Sequence, residues 1–164
     1  MHATTRVLVT GAGGFIGSHL VTALKRRGHW VRGVDLQHPQ FGATDADEFL
    51  VADLRNRQAC AVATSGIDDV YALAADMGGM GFISQHHAQI LHNNALINLH
   101  TLDTARENGA RRYLFASSAC VYPEGLQERA DVTPLREDDA YPAQPQVAYG
   151  WEKLLTERLC MHYA

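Results

Sequence analysis

Tyr149 and Lys153 stand four residues apart in "YGWEK", a spacing that places both side chains on one face if the segment is helical. A phenol has an ordinary pKa of about 10, too high for an effective base at neutral pH. An ammonium beside it favours the phenolate and brings the group within reach of general-base work. Upstream, Ser117 and Ser118 close an apolar run, "RRYLFASS", and Cys120 follows two positions later. A cysteine in a strand is ordinarily a small buried hydrophobe, so its neighbours decide how it is read.

A second group lies near the start. "VLVTGAGGFIGSHL" sets Gly11, Gly14 and Gly17 between an apolar run and a helical pattern. Without side chains, such a turn brings backbone N–H groups against a pyrophosphate at the positive end of a helix. The spacing is G-x-x-G-x-x-G, and Gly13 also supplies a G-x-G. Asp35 ends the next strand, where a carboxylate accepts hydrogen bonds from both ribose hydroxyls of a dinucleotide and repels a 2′-phosphate. No Arg or Lys follows in "DLQHPQ", so NAD is expected over NADP. A glycine-rich turn with a surface aspartate is the plain alternative. Asp53, in "VADLR", reads either as the adenine edge of that site or as a helix N-cap.

The elements that must carry these residues alternate. "RVLVT" (Arg6–Thr10), "WVRGVD" (Trp30–Asp35), "EFLVAD" (48–53), "DDVYALAA" (69–75 at its core) and "RRYLFASS" (111–118) read as buried strands. Between them lie helical patterns, one ended by Gly28 and a long one from about 84 to 108. Continuous apolar strands alternating with helices predict an α/β fold, a doubly wound parallel sheet with helices on both faces. From Pro123 to Pro145 the pattern becomes irregular, and a helix restarts at "AYGWEKLL". The expectation is one domain over 1–164 with an active-site loop region at 119–147.

Composition adds limits. The 164 residues are 46% hydrophobic and 20% charged with a net charge of −4, which gives no electrostatic case for nucleic acid or an anionic membrane. The stretch before the first strand has no apolar run, and "VYALAA" is far too short to span a bilayer, so a cytoplasmic protein is expected. Three cysteines without a C-x-x-C suggest no disulfide framework and no zinc knuckle; Cys60 and Cys160 read as core or surface residues. His87 and His92 are five apart and do not share a helical face, so no metal site is expected.

"GAGGFIG", "LAA", "SSACVY" and "YGWEK" resemble the extended short-chain dehydrogenase/reductases that act on nucleotide sugars. "AADMGGMGFI", the Asn93-Asn94 pair and "SSACVYPE" resemble one branch of them, the GDP-mannose 3,5-epimerases, along essentially the whole chain. The resemblance implies a Rossmann-type domain, bound NAD, a nucleotide-sugar substrate and a homodimer built through the long helix and the Tyr/Lys helix. It implies that Tyr149 takes the proton of the sugar's 4-hydroxyl while carbon 4 gives hydride to NAD. Lys153 would hold the phenolate and the nicotinamide ribose, and Ser118 the reacting oxygen. The 4-ketone acidifies the hydrogens on carbons 3 and 5, and Cys120 is implied as the base that removes one. If the strand continues past Ser118, Cys120 points to the same side. Cofactor contacts are implied at Gly11, Gly14, Phe15, Ile16, Gly17, Asp35, Asp53, Leu54, Ala74, Tyr149 and Lys153, and substrate contacts at Gly78, Ser118, Ala119 and Cys120. Met77, Met80 and Phe82 read rather as packing for the long helix.

Other readings stay open. The dehydratase relatives carry an acidic residue at the Cys120 step, which argues against that chemistry here. A single-position epimerase and a non-catalytic NAD(H)-binding module remain. Extended members carry a second, smaller domain after the Tyr/Lys helix, and this sequence stops at "LCMHYA". A chain lacking that domain and a sixth strand is expected to be weakly active or inactive alone and prone to associate.

Overall fold

A computed structural model of the chain describes residues 4–40, 42–127 and 134–164, apart from the side chains at positions 80 and 84. It divides into two compact units, Met1–Ala75 with Leu96–Ala116, and Asp76–Ala95 with Ser117–Ala164. In the first unit, β1 (Arg6–Thr10), β2 (Trp30–Asp35), β3 (Glu48–Val51), β4 (Asp69–Ala72) and β5 (Arg112–Phe115) form one parallel sheet. Its order, β3-β2-β1-β4-β5, is that of a Rossmann-type doubly wound sheet. The order reverses between β1 and β4, whose C-terminal residues Thr10 and Ala72 pair in register. Ligands of open α/β sheets bind at such a switch point.

Alternation along β1 sorts the core into two faces. Val7 and Val9 pack with Val31 beneath Val21 and Leu24 of α1 (Phe15–Arg26). Leu8 points the other way and packs with Val34 and Val70. That face is covered by Cys60 and Ala63 of α2 (Arg57–Thr64) and by Ala105 of α4 (His87–Glu107). Both faces are therefore dry, which is why the strands read as unbroken apolar runs. Arg32 in β2 is 8% exposed, and its guanidinium donates to the carbonyls of Ala63 (2.7 Å) and Ser65 (2.9 Å) at the end of α2. Trp30 lies under the Arg6 guanidinium, 3.5 Å from the ring centroid.

The second unit holds α3 (Met80–Gln85), the start of α4 and α5 (Ala148–Tyr163). The single long helix read from the sequence is broken at His86, whose N–H closes α3 on the Phe82 carbonyl (3.1 Å) and whose ring stacks on that of Phe82. The strand read as 111–118 ends at Phe115. Ala116 N still donates to the carbonyl of Ala72, the last residue of β4 (3.1 Å). Cys120 thus sits on a 3-10 turn, Ala119–Val121, and not on a continued strand. Further 3-10 turns lie at Glu124–Leu126 and Glu137–Ala140, and an antiparallel bridge joins Pro123 to Pro145. Positions 128–133 of that irregular stretch lie outside the described residues, as does the Met80 side chain assigned to packing. No helix among the described residues is long and apolar enough to cross a membrane.

Candidate active site

The glycine turn opens where β1 ends. Thr10, 1% exposed, accepts hydrogen bonds through Oγ1 from Leu73 N and Ala74 N, both at 3.0 Å, and so ties the end of β1 to the chain leaving β4. Gly11 adopts φ +70°. Helix α1 then starts at Phe15 with Gly14 as N-cap, and Gly14 supplies no side chain to the first turn. The N–H groups of that turn have no partner within the helix and face outward at its positive end. At Gly17 a Cβ would meet the Gly11 carbonyl and lie 2.9 Å from Ala12 Cα, backbone that cannot give way. The turn is therefore closed tightly on itself, Gly14 N donating to Gly11 O at 3.1 Å, and an anion would meet the first amides of α1. Phe15 and Ile16 are 73% and 69% exposed beside them.

Asp35, at the end of β2, accepts from Gly13 N at 3.0 Å, which fixes its carboxylate beside the turn. Asp53 lies past the end of β3 and is not the cap of α2. Asn56 is, its side chain accepting from Gln58 N at 2.8 Å. Asp53 is instead gripped by Arg55, 2.6 Å away, which holds its carboxyl below the usual range. Leu54 is buried in the core. A cleft of about 410 Å³ runs along Gly13, Gly14, Phe15 and His19 on one side and Pro39, Gln40, Gly42 and Thr44 on the other.

The second unit gathers the other candidates. Tyr149 shares a core cluster with Ile83 and Ile90, against which Phe82 and Cys120 pack, and Ser118 lies near enough to its phenol to lower its pKa. Lys153 Nζ lies 5.4 Å from the Tyr149 ring centroid, as the four-residue spacing predicts. What brings Cys120 here is Gly150. A Cβ at that position would strike the Cys120 carbonyl and stand 2.9 Å from Pro145, so only glycine lets the turn bearing the thiol lie against α5. Ser118 Oγ accepts from Cys120 N at 3.2 Å, capping the turn. Ala119 is exposed. Gly78 is exposed too, and a Cβ there would press on the Phe82 side chain, 2.7 Å from its Cβ. Phe82 packs as expected, while Met77 is 48% exposed and does not.

The electrostatics of this corner differ from the sequence expectation of a phenol lowered by its lysine. Tyr149 is pushed above its ordinary value, first by burial and then by the charges of Glu152 and Cys120; the Ser118 hydrogen bond pulls the other way. Lys153 is pushed down by burial, with Glu152 opposing. Glu152 is the residue the motif reading passed over. It is 1% exposed, and Asn94 Nδ2 donates to it at 3.1 Å. Its position three residues after Tyr149, on the same helical face, was the available signal.

The model of the NAD dependent epimerase/dehydratase family matches residues 7–164. The chain belongs to this family. Among curated members, GDP-mannose 3,5-epimerase 1 of Oryza sativa subsp. japonica is 49% identical over 160 residues, 96% of this chain and 42% of that protein. GDP-mannose 3,5-epimerase of Arabidopsis thaliana is 48% identical over the same shares. A short-chain dehydrogenase/reductase superfamily protein from Agrobacterium tumefaciens, solved with bound NAD, superposes with a TM-score of 0.79 at 34% identity over 96% of this chain and 44% of that one. The chain thus spans about two fifths of the length of these epimerase relatives.

Proposed function

We propose that the chain carries the NAD-binding and deprotonating part of a nucleotide-sugar epimerase acting on GDP-mannose. The observation that carries this reading is the 49% identity to the rice enzyme, taken with one corner that holds Ser118, Cys120, Tyr149 and Lys153. The cradle fits the cofactor, since a Cβ at Gly17 would fill the turn whose amides meet the pyrophosphate. Gly11, Gly14, Phe15, Ile16 and Gly17 hold the phosphates, Asp35 the adenosine ribose, and Asp53, Leu54 and Ala74 the adenine side. NAD, when bound, takes up and returns the hydride of sugar carbon 4.

The protein's own groups do the rest. Tyr149 accepts the proton of the 4-hydroxyl and later returns it, while Ser118 orients that oxygen. Lys153 holds the phenolate once it forms, its Nζ 5.4 Å from the Tyr149 ring centroid, against the burial that raises the phenol. Cys120 takes the proton from carbon 5 or carbon 3, made acidic by the adjacent ketone. Gly78 and Ala119, both exposed, line the sugar. The three cysteines are free thiols, in keeping with a cytoplasmic protein.

The reading includes a homodimer. Support comes from α5, where Trp151 and Leu155 are 49% and 51% exposed beside Tyr141.

The experiment is incubation of the gene's whole product with GDP-mannose and NAD in deuterated water. Deuterium at carbon 5 or carbon 3, absent in Cys120→Ala, is the expected result. Retained label in that variant removes Cys120 as the base, and NAD binding without any exchange leaves only a binding module.

A further inference from the structure

Glu152 is a carboxylate in an unlikely place for one. Its side chain has no exposure, and a buried charge is costly unless it is paired and hydrogen-bonded. Asn94 Nδ2 donates to Oε1 at 3.1 Å, and Lys153 Nζ lies 4.0 Å from the same oxygen. Asn94 is fully buried as well, and both ends of its amide are used: Oδ1 accepts from Asp76 N at 2.6 Å, and Nδ2 also reaches Asp76 O at 3.3 Å. Because the Asp76 N–H can only donate, the amide oxygen must face it and Nδ2 must face Glu152. The backbone of the loop that carries Gly78 therefore dictates that position 152 be an acceptor.

We propose that Glu152 is a positioning residue: a buried carboxylate, clamped by Asn94, that keeps Lys153 an ammonium and holds it in the corner with Tyr149. It touches no reacting atom. The inference rests on the catalytic reading of Tyr149 and Lys153 given above.

The electrostatics agree in sign. Burial drives the Lys153 amine down and the Glu152 charge lifts it; the same charge lifts the Tyr149 phenol. Other polar groups among the described residues bear on this corner. Cys120, from the 3-10 turn, also lifts Tyr149, and Ser118 lowers it. Asp76, in the loop after β4, is engaged by Asn93 Nδ2 at 2.6 Å and by Gln89. His92 of α4 contacts Asn93. Among the described residues, Phe82 and Ile83 of α3 and Ile90 of α4 share the apolar cluster of Tyr149. Removing the Glu152 charge therefore moves both titrations to lower pH.

The test is Glu152→Gln, which keeps an acceptor for Asn94 and loses the charge. Tyr149 ionisation is read as the ultraviolet difference between each protein and its Tyr149→Phe partner, a signal that needs no substrate. The midpoint is expected to fall by about one pH unit or more in E152Q and to return toward the parent in Glu152→Asp. In turnover of GDP-mannose, both limbs of the pH profile are expected to shift to lower pH together. A lower rate with both limbs and the midpoint in place means packing alone and overturns the proposal. If E152Q does not fold, Asn94→Ala frees the carboxylate from its clamp; a midpoint unmoved there overturns it equally. A protein that never exchanges GDP-mannose yet shows the shifted phenol loses the epimerase reading and keeps Glu152.

Discussion

Thr10→Val is the sharpest test of how β1 and β4 are joined above the glycine turn. The substitution keeps shape and removes one oxygen. That oxygen accepts from Leu73 N and Ala74 N at 3.0 Å each, and Thr10 itself is 1% exposed. Leaving a partly buried donor unmade costs about 1 kcal/mol, the low end of the usual range, so two donors cost about 2–3 kcal/mol. With an unfolding entropy near 2.1 cal/mol/K per residue, 1 kcal/mol corresponds to about 3 °C in a chain of this size. The variant should melt about 6–9 °C below the parent by far-UV circular dichroism. Thr10→Ser keeps the acceptor and loses a methyl, for about 1 kcal/mol or 3 °C. A valine variant within about 2 °C of the parent, or a serine variant that falls as far as the valine, refutes the reasoning.

Cys60 gives a pH dependence. It is fully buried, donates to Leu54 O at 3.0 Å, and burial pushes its thiol up to about 11 from 9.0. The unfolded thiol loses its proton first, so this contribution to stability is whole below pH 9 and is lost as pH rises toward 11, about 2–3 kcal/mol in all. Urea unfolding at pH 8, 9 and 10 should show that decline in the parent and a flatter one in Cys60→Ala; parallel declines dismiss it. Trp151→Glu places a charge in the exposed patch of α5. Sedimentation at micromolar concentration should show a dimer for the parent and a monomer for the variant, with melting unchanged; a monomeric parent refutes the interface.

Much of the sheet was legible because burial on both faces leaves an unmistakable signal. β1 and β2 fall where unbroken Val-rich runs put them, and the glycine turn follows directly. The ends were less legible, since a strand lasts only as long as its neighbour. "LFASS" continues apolar and small, but β5 stops at Phe115, in register with Ala72 at the end of β4. The break at His86 was hidden for a similar reason: its neighbours are good helix residues, and the ring stack on Phe82 that accompanies the break is not written in periodicity. In the candidate site, Tyr149 and Lys153 were singled out by type and spacing and Ser118 by resemblance. Cys120 was reached by a turn in place of the strand expected, with Gly150 making room. Glu152 escaped because a glutamate in a helix normally marks solvent, and Asn94, the buried partner that donates to it, is far off in sequence.

The chain's two tryptophans fall one to each compact unit. Trp30 is covered by a guanidinium at the edge of the sheet, while Trp151 stands half in water on α5. Their emission must therefore differ in colour, the shielded indole bluer and the wetted one redder. With Trp151→Phe to silence the second lamp, the protein carries its own optical gauge of whether the sheet with its glycine turn and the Tyr149 corner unfold together or in turn.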